Sequence, residues 1–271
     1  MFVRIDRRGG VPWRWAGDSI ATVPSGHERG PGRVRVRYRR ADGEFAETTL
    51  DRVVPAEVVA GLPVREFRWY KGRQHYSGWY WSATMNGHVV YESRLELARI
   101  MLADFDPAVA GLAAQPFLLT GRDGGRDRRH VPDLLLVGGD DVVTVVDVKA
   151  ASRLADPGVR AQFSWTRAVA ASRGWGFEAW SGADRRLLDN VRFLAGYRRG
   201  VVIDAGLLPV VLDAARERAT IGSVERALAG EYPVQLVRPA VLHLLWTGRL
   251  RADLRRPLGA ATPVQLAAGA G

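Results

Sequence analysis

The sequence predicts an α/β protein: a sheet organised around one β-hairpin, followed by a smaller helical C-terminal part. Three observations predict it. Residues 130–149, HVPDLLLVGGDDVVTVVDVK, set a short apolar run and a longer β-branched run on either side of Gly138-Gly139-Asp140-Asp141, which is turn chemistry. Residues 91–105 and 160–173 repeat apolar side chains at three- and four-residue spacing, the mark of helices with one buried face. From Arg185 onward, strand signals give way to short helical stretches separated by Gly and Pro.

Composition bounds what such a fold can do. The chain has 271 residues, net charge +10 and pI ≈ 10.7, a balance that favours a polyanionic partner. With no cysteine, disulfides and thiolate metal sites are excluded. Its five histidines are scattered and form no HExxH, so any metal site is expected to be oxygen-rich and suited to Mg²⁺. No apolar run approaches membrane-spanning length and no signal-type segment opens the chain, so the expectation is a cytoplasmic protein with no membrane partner.

In order, residues 1–62 read as a strand-rich leader, with period-2 alternation over 33–50 about Ala41-Asp42-Gly43 as a hairpin. Its arginine-bearing strand either touches phosphate or is a solvated face. Residues 64–81 interleave seven aromatics with Arg65, Arg68, Lys71 and Arg73. Such a segment either stacks on bases and clamps phosphates or roofs the core. We assign the cations to DNA and the tryptophans to packing. The helix over 91–105 ends at Asp106-Pro107 and carries Glu92 and Glu96 one turn apart. Glu92 falls in its first turn, where the helix dipole explains an acid; Glu96, between Leu95 and Leu97, is the better functional carboxylate. A strand follows through Gln115-Pro116. Residues 121–129, GRDGGRDRR, then read as a charged glycine-rich loop whose Arg128 and Arg129 reach DNA.

In the hairpin, folding about the turn sets Asp133 beside Asp147, and alternation puts Asp147 and Lys149 on one face with Val148 turned away. Two carboxylates and an ammonium at the end of an apolar hairpin are costly unless something binds there. Lysine is itself rare in this chain: of 39 basic residues only Lys71 and Lys149 are lysines. Choosing Lys149 in so arginine-rich a sequence points to a compact point charge that can sit beside water and phosphate; the plainer reading is a pair with Asp133 or Asp147. Beyond it, 160–173 is a helix and 175–180 a strand, with a boundary near 181–184. In 185–271, helices over 209–218, 221–228 (capped by Thr220) and 234–246, then a basic hairpin over 247–258, suggest a winged helix-turn-helix. That part either binds DNA or a protein partner, or caps the preceding domain.

The order helix, strand, hairpin bearing E…PD…DxK, helix, strand resembles the PD-(D/E)xK nuclease fold. The segments YESRLE, FDPAV, QPF, HVPDLLLV and VVDVK, with RGWGFEAWSG after them, resemble TnsA, the endonuclease subunit of heteromeric cut-and-paste transposases. The resemblance covers residues from about 67 to the C-terminus. It implies a restriction-endonuclease-like mixed sheet flanked by helices over 63–184, with a winged-helix-like domain over 185–271. It places the catalytic set on Glu96, Asp133, Asp147 and Lys149. Metal ligation falls to Asp133, Asp147, the Val148 carbonyl and Glu96, for Mg²⁺ with Mn²⁺ as substitute. Its best-known member has glutamine where this chain has Asp147. The implied partners are double-stranded DNA, an RNase H-like TnsB-type transposase, and an AAA+ TnsC-type ATPase met by the C-terminal domain, in a bacterial, nucleoid-associated setting. A stand-alone restriction or repair nuclease and a non-catalytic DNA- or ATPase-binding adaptor stay open beside it.

Overall fold

The computed structural model describes residues 33–65 and 76–267. It is a mixed α/β protein whose described residues divide into two compact units, one of residues 33–65, 76–104 and 109–182, the other of 105–108 and 183–267. Among the described residues no helix is long and apolar enough to cross a membrane.

In the larger unit, β1 (Arg35–Arg39) and β2 (Phe45–Thr49) form the expected hairpin, turned at Gly43 with φ 91°. Helix α1 (Pro55–Ala60) follows, then β3 (Gly78–Ser82) and β4 (Gly87–Tyr91). Next come α2 (Arg94–Phe105), β5 (Val109–Ala114), β6 (Leu118–Asp123) and β7 (Arg126–His130). The unit closes with β8 (Leu134–Gly138), β9 (Val143–Val148), α3 (Pro157–Ser172) and β10 (Gly176–Trp180).

Two four-stranded sheets result, ordered β2-β1-β6-β7 and β10-β9-β8-β5. In the second sheet β5, β8 and β9 run antiparallel in turn and β10 lies parallel to β9, reached through α3, so the sheet is mixed. Side-chain alternation on β10 shows what covers it. Phe177 meets Phe163 of α3 at 5.7 Å between ring centroids, while Glu178 takes Arg99 of α2 in a two-bond pair at 2.6 and 3.1 Å. Helices α2 and α3 therefore cover opposite faces. On the α3 side, Leu135, Val143 and Val145 join Val36, Phe117, Leu119, Trp165 and Val169 in one buried core.

Three expectations change here. Residues 33–62 are no separate leader, because β1 pairs with β6 and its Val36 is fully buried in the common core. The loop read at 121–129 is the β6–β7 hairpin: Gly124 and Gly125 take φ of 54° and 92°, the turn that short antiparallel connections favour. Alternating polar and charged residues hid those strands. Helix α2 starts three residues later than expected because β4 runs to Tyr91.

The second unit contains α4 (Arg185–Leu194), α5 (Leu207–Glu217), α6 (Ile221–Leu228) and α7 (Val234–Trp246). Thr220 caps α6 in a capping box with Ser223. Strand β11 (Leu250–Arg251) pairs with β12 (Gln265–Leu266), so the basic hairpin expected within 247–258 is instead a short ladder between 250–251 and 265–266. The intervening turn is fastened to α4, whose Asn190 amide donates to the Leu254 and Arg256 carbonyls at 2.8 and 2.7 Å.

Candidate active site

The β8–β9 hairpin is tied by Leu134 facing Val146, where the regular ladder ends, and Asp133 and Asp147 lie just beyond that last pair. The chain enters β8 through Val131 and Pro132, and Asp133 N–H donates to the Val146 carbonyl at 3.1 Å. On β9, Asp147 shares the face of Val143 and Val145, which is the α3 side, and Lys149 follows directly after the strand. Lys149 is anchored through its backbone N–H to the Trp180 carbonyl of β10 at 2.8 Å. The sequence-predicted Asp133, Asp147 and Lys149 thus meet at one end of the mixed sheet.

Each carboxylate is held differently. Asp133 Oδ2 accepts from Val148 N–H at 2.7 Å, its one side-chain hydrogen bond among the described residues. Burial pushes its carboxyl up to about 7, helped by the nearby charges of Asp147 and Glu96 and opposed by the Val148 N–H and by Lys149. Asp147 is 1% exposed and both its oxygens face His130 Nε2, at 2.8 and 2.9 Å. Glu96 Oε2 accepts from Glu92 N–H at 2.8 Å and Oε1 from Ser93 Oγ at 2.9 Å, while Ser93 Oγ accepts from Glu96 N–H at 3.0 Å. Burial raises the Glu96 carboxyl above its usual range, opposed by the bonds from Glu92 N–H and Ser93 Oγ and, less, by Lys149.

The assignment between the two glutamates therefore needs correcting in its reason. Glu92 lies before α2, and Glu96 is the acid of the first turn, closing a reciprocal cap on the N-terminus. It nonetheless reaches the cluster, since its charge is felt at Asp133 and Lys149's charge is felt at Glu96. Lys149 makes no ion pair among the described residues, so the plain pairing with Asp133 or Asp147 is absent.

A contrast shows how unusual Asp133 is. Asp104 is also buried, but its carboxylate accepts from Tyr80 OH, Ser82 Oγ, Ala83 N–H and Thr84 N–H at 2.6–3.1 Å and locks α2 to the β3–β4 hairpin. Four donors satisfy that charge within the protein. Asp133 has one donor and two acidic neighbours, an arrangement that a cation would relieve.

Two further residues belong to the cluster. His130, which ends β7, is the only partner of Asp147's oxygens among the described residues. Gln115 follows β5 with φ 47°; its N–H donates to the Asp133 carbonyl at 2.9 Å, and its side-chain Oε1 is buried with no hydrogen-bond partner. The sequence offered only weak signals for them: a histidine three residues before Asp133, and a glutamine before proline where a strand must break.

The donor set suits a hard divalent cation: the carboxylates of Asp133, Asp147 and Glu96. No three His, Asp or Glu side chains form a ready-made metal-ligand group among the described residues. Each carboxylate is instead turned to a different protein donor.

Beside this cluster lies an open cleft of ≈ 340 Å³ lined by Arg37, Phe45, Arg65, Leu118, Arg129 and His130 among others. Arg37 lies 4.1 Å over the Phe45 ring, and Arg65 and Arg129 make no ion pair among the described residues. Arg128, on the other side of β7 from Arg129, is held by Asp123 at 2.9 and 3.1 Å and is committed to its own hairpin. Arg37, on the strand read as either phosphate-binding or solvated, thus joins the cationic surface. Arg68, Lys71 and Arg73 lie outside the described residues.

No protein-family model matches this chain, and no curated protein compared with it matches either.

Proposed function

We propose that the larger unit is a Mg²⁺-dependent DNA endonuclease of PD-(D/E)xK type. It would serve as the TnsA-like subunit that cuts the 5′ ends in a heteromeric cut-and-paste transposase. The observation that carries the reading is Asp133: a buried carboxyl pushed up to about 7 beside Asp147 and Glu96, with an unpaired Lys149 near it. Perturbed acids gathered with a free ammonium are what phosphodiester hydrolysis requires. The order α2, β5, β8, β9, α3, β10, with β6 and β7 inserted, supports the fold assignment.

Asp133, Asp147 and the Val148 carbonyl would hold the cation in this reading, with Glu96 as a further ligand. Bound Mg²⁺ supplies Lewis-acid chemistry, lowering the pKa of water and offsetting charge on the phosphoryl oxygens. Lys149 Nζ stabilises the negative charge that develops on the phosphate, a role its missing ion pair leaves it free to take. Arg65 and Arg129 take backbone phosphates in the cleft, which positions the strand without reading its sequence. Asp147 is held in place by His130.

In the second unit, α5, α6, α7 and the β11–β12 ladder support a winged-helix-like reading. The last seven residues of α7, Ala240–Trp246, are all buried, which leaves little of that helix for a DNA groove. Val201, Val202 and Phe193 are more than half exposed, and Val234 and Leu236 nearly so. Exposed apolar side chains of this kind are compatible with a protein partner, and the AAA+ regulator is the partner this reading assigns to the unit. The cytoplasmic, nucleoid-associated setting belongs to the same reading.

The deciding experiment is cleavage of duplex DNA by the full chain with Mg²⁺, alone and with the transposase and ATPase. Cutting near the element's 5′ ends only in the presence of the partners is expected, with Lys149→Ala abolishing the cut. Efficient cutting at a fixed short sequence by the lone chain would make it a restriction-type nuclease instead.

A further inference from the structure

The bond between His130 and Asp147 has an unusual form. One Nε2 lies 2.8 Å from Oδ1 and 2.9 Å from Oδ2, so it straddles the carboxylate rather than engaging one oxygen. In the tautomer with Nε2 as donor, its hydrogen points between the two oxygens. That edge is the one a cation uses when a carboxylate chelates it with both oxygens. Asp147's side chain is 2% exposed and His130's 19%, so the contact is largely sheltered from water. Removing the donor leaves a buried carboxylate edge unpartnered, which opposes spontaneous loss of the bond.

Resting on the metal-site reading above, we infer that His130 determines which divalent ion the site accepts, by occupying Asp147's chelating edge and confining it to one-oxygen coordination. The consequence follows from ion size. Mg²⁺ and Mn²⁺ accept octahedral shells of single oxygens, whereas Ca²⁺ takes six to eight oxygens and commonly draws two from one carboxylate. Outer-sphere partners of ligands orient them in this way in metal sites generally. Asp133 cannot compensate, because its Oδ2 is engaged by Val148 N–H. Glu96 is similarly restricted, with Oε1 and Oε2 each accepting a bond at the start of α2. All three carboxylates are thereby biased against chelation, and His130 is the side chain that meets both oxygens of one carboxylate.

The test is calorimetric titration of the full chain with Mn²⁺ and with Ca²⁺, comparing the ratio of the two dissociation constants. His130→Ala should shift that ratio toward Ca²⁺ by about tenfold, equivalent to ~1.4 kcal/mol. His130→Gln, whose amide nitrogen reaches about as far as Nε2, should keep the wild-type ratio. His130→Asn, too short to reach, should behave as the alanine variant does and replaces it if that variant does not fold. An unchanged ratio in the alanine or asparagine variant, or the same shift in the glutamine variant, overturns the inference while leaving the metal site standing. Failure of the wild-type chain to bind either ion overturns the metal site and the inference together.

Discussion

Replacing Asp133 by asparagine should make the metal-free protein more stable above neutral pH while removing the proposed nuclease activity. Asparagine keeps a carbonyl oxygen for the 2.7 Å bond from Val148 N–H, so the change is chiefly one of charge. The Asp133 carboxyl lies at about 7 against an ordinary 3.8, chiefly through burial. At ~1.4 kcal/mol per tenfold change in proton affinity, ionised Asp133 costs the fold on the order of 4 kcal/mol. An asparagine NH₂ without a partner returns roughly 1–2 kcal/mol of that, leaving a net gain of about 2 kcal/mol at pH 8. The folded protein keeps the Asp133 proton up to about pH 7, whereas the unfolded chain releases it near 3.8. Wild-type stability contributed by this group is therefore present below pH 4 and lost as pH rises through 7. Urea denaturation in a chelator from pH 4 to 9 measures this directly. The variant's advantage should appear between pH 5 and 8 and vanish at the acid end. An Asp133→Asn protein no more stable than wild type at pH 8, or with an advantage independent of pH, would refute the claim that this carboxylate is buried against its own charge.

Saturating Mg²⁺ or Mn²⁺ should reverse the order: it should raise the melting temperature of the wild type, and leave Asp133→Asn and Asp147→Ala unmoved, as scanning calorimetry would show. Glu96→Gln should lower strand cleavage about 10²-fold, whereas Glu92→Gln should cost little; equal effects would reduce Glu96 to its helix cap. Arg129→Ala should weaken non-specific DNA binding and lower its salt slope by about 1, while Arg128→Ala, which only breaks the Asp123 pair, should leave the slope unchanged in fluorescence anisotropy. Asp104→Ala should cost at least about 3 kcal/mol of stability, because four donors lose their acceptor, yet should not alter metal affinity.

The elements legible in the sequence were those whose signals are local. Gly138–Asp141 set the β8–β9 turn, Thr220 set the start of α6, and Gly43 set the β1–β2 turn; in each, a few adjacent residues fix the backbone. The same local rules misread 121–129, because a polar, charged strand lacks the apolar alternation that marks one. They also misplaced Glu92 and Glu96, since the boundary between β4 and α2 depends on where strand pairing stops.

Local pattern was enough to bring Asp133, Asp147 and Lys149 to one end of a hairpin, because a two-residue period and a tight turn leave little freedom. What surrounds them comes from segments far away in the chain. His130 reaches Asp147 across 17 residues from a strand of the other sheet, and Gln115 brings its backbone to Asp133 from β5. Asp104 and Asp133 look alike as isolated aspartates in apolar surroundings. They differ in the number of donors the fold brings to each, and so does the cost of their charge. Burial and partner count are sums over distant segments, which no local pattern encodes.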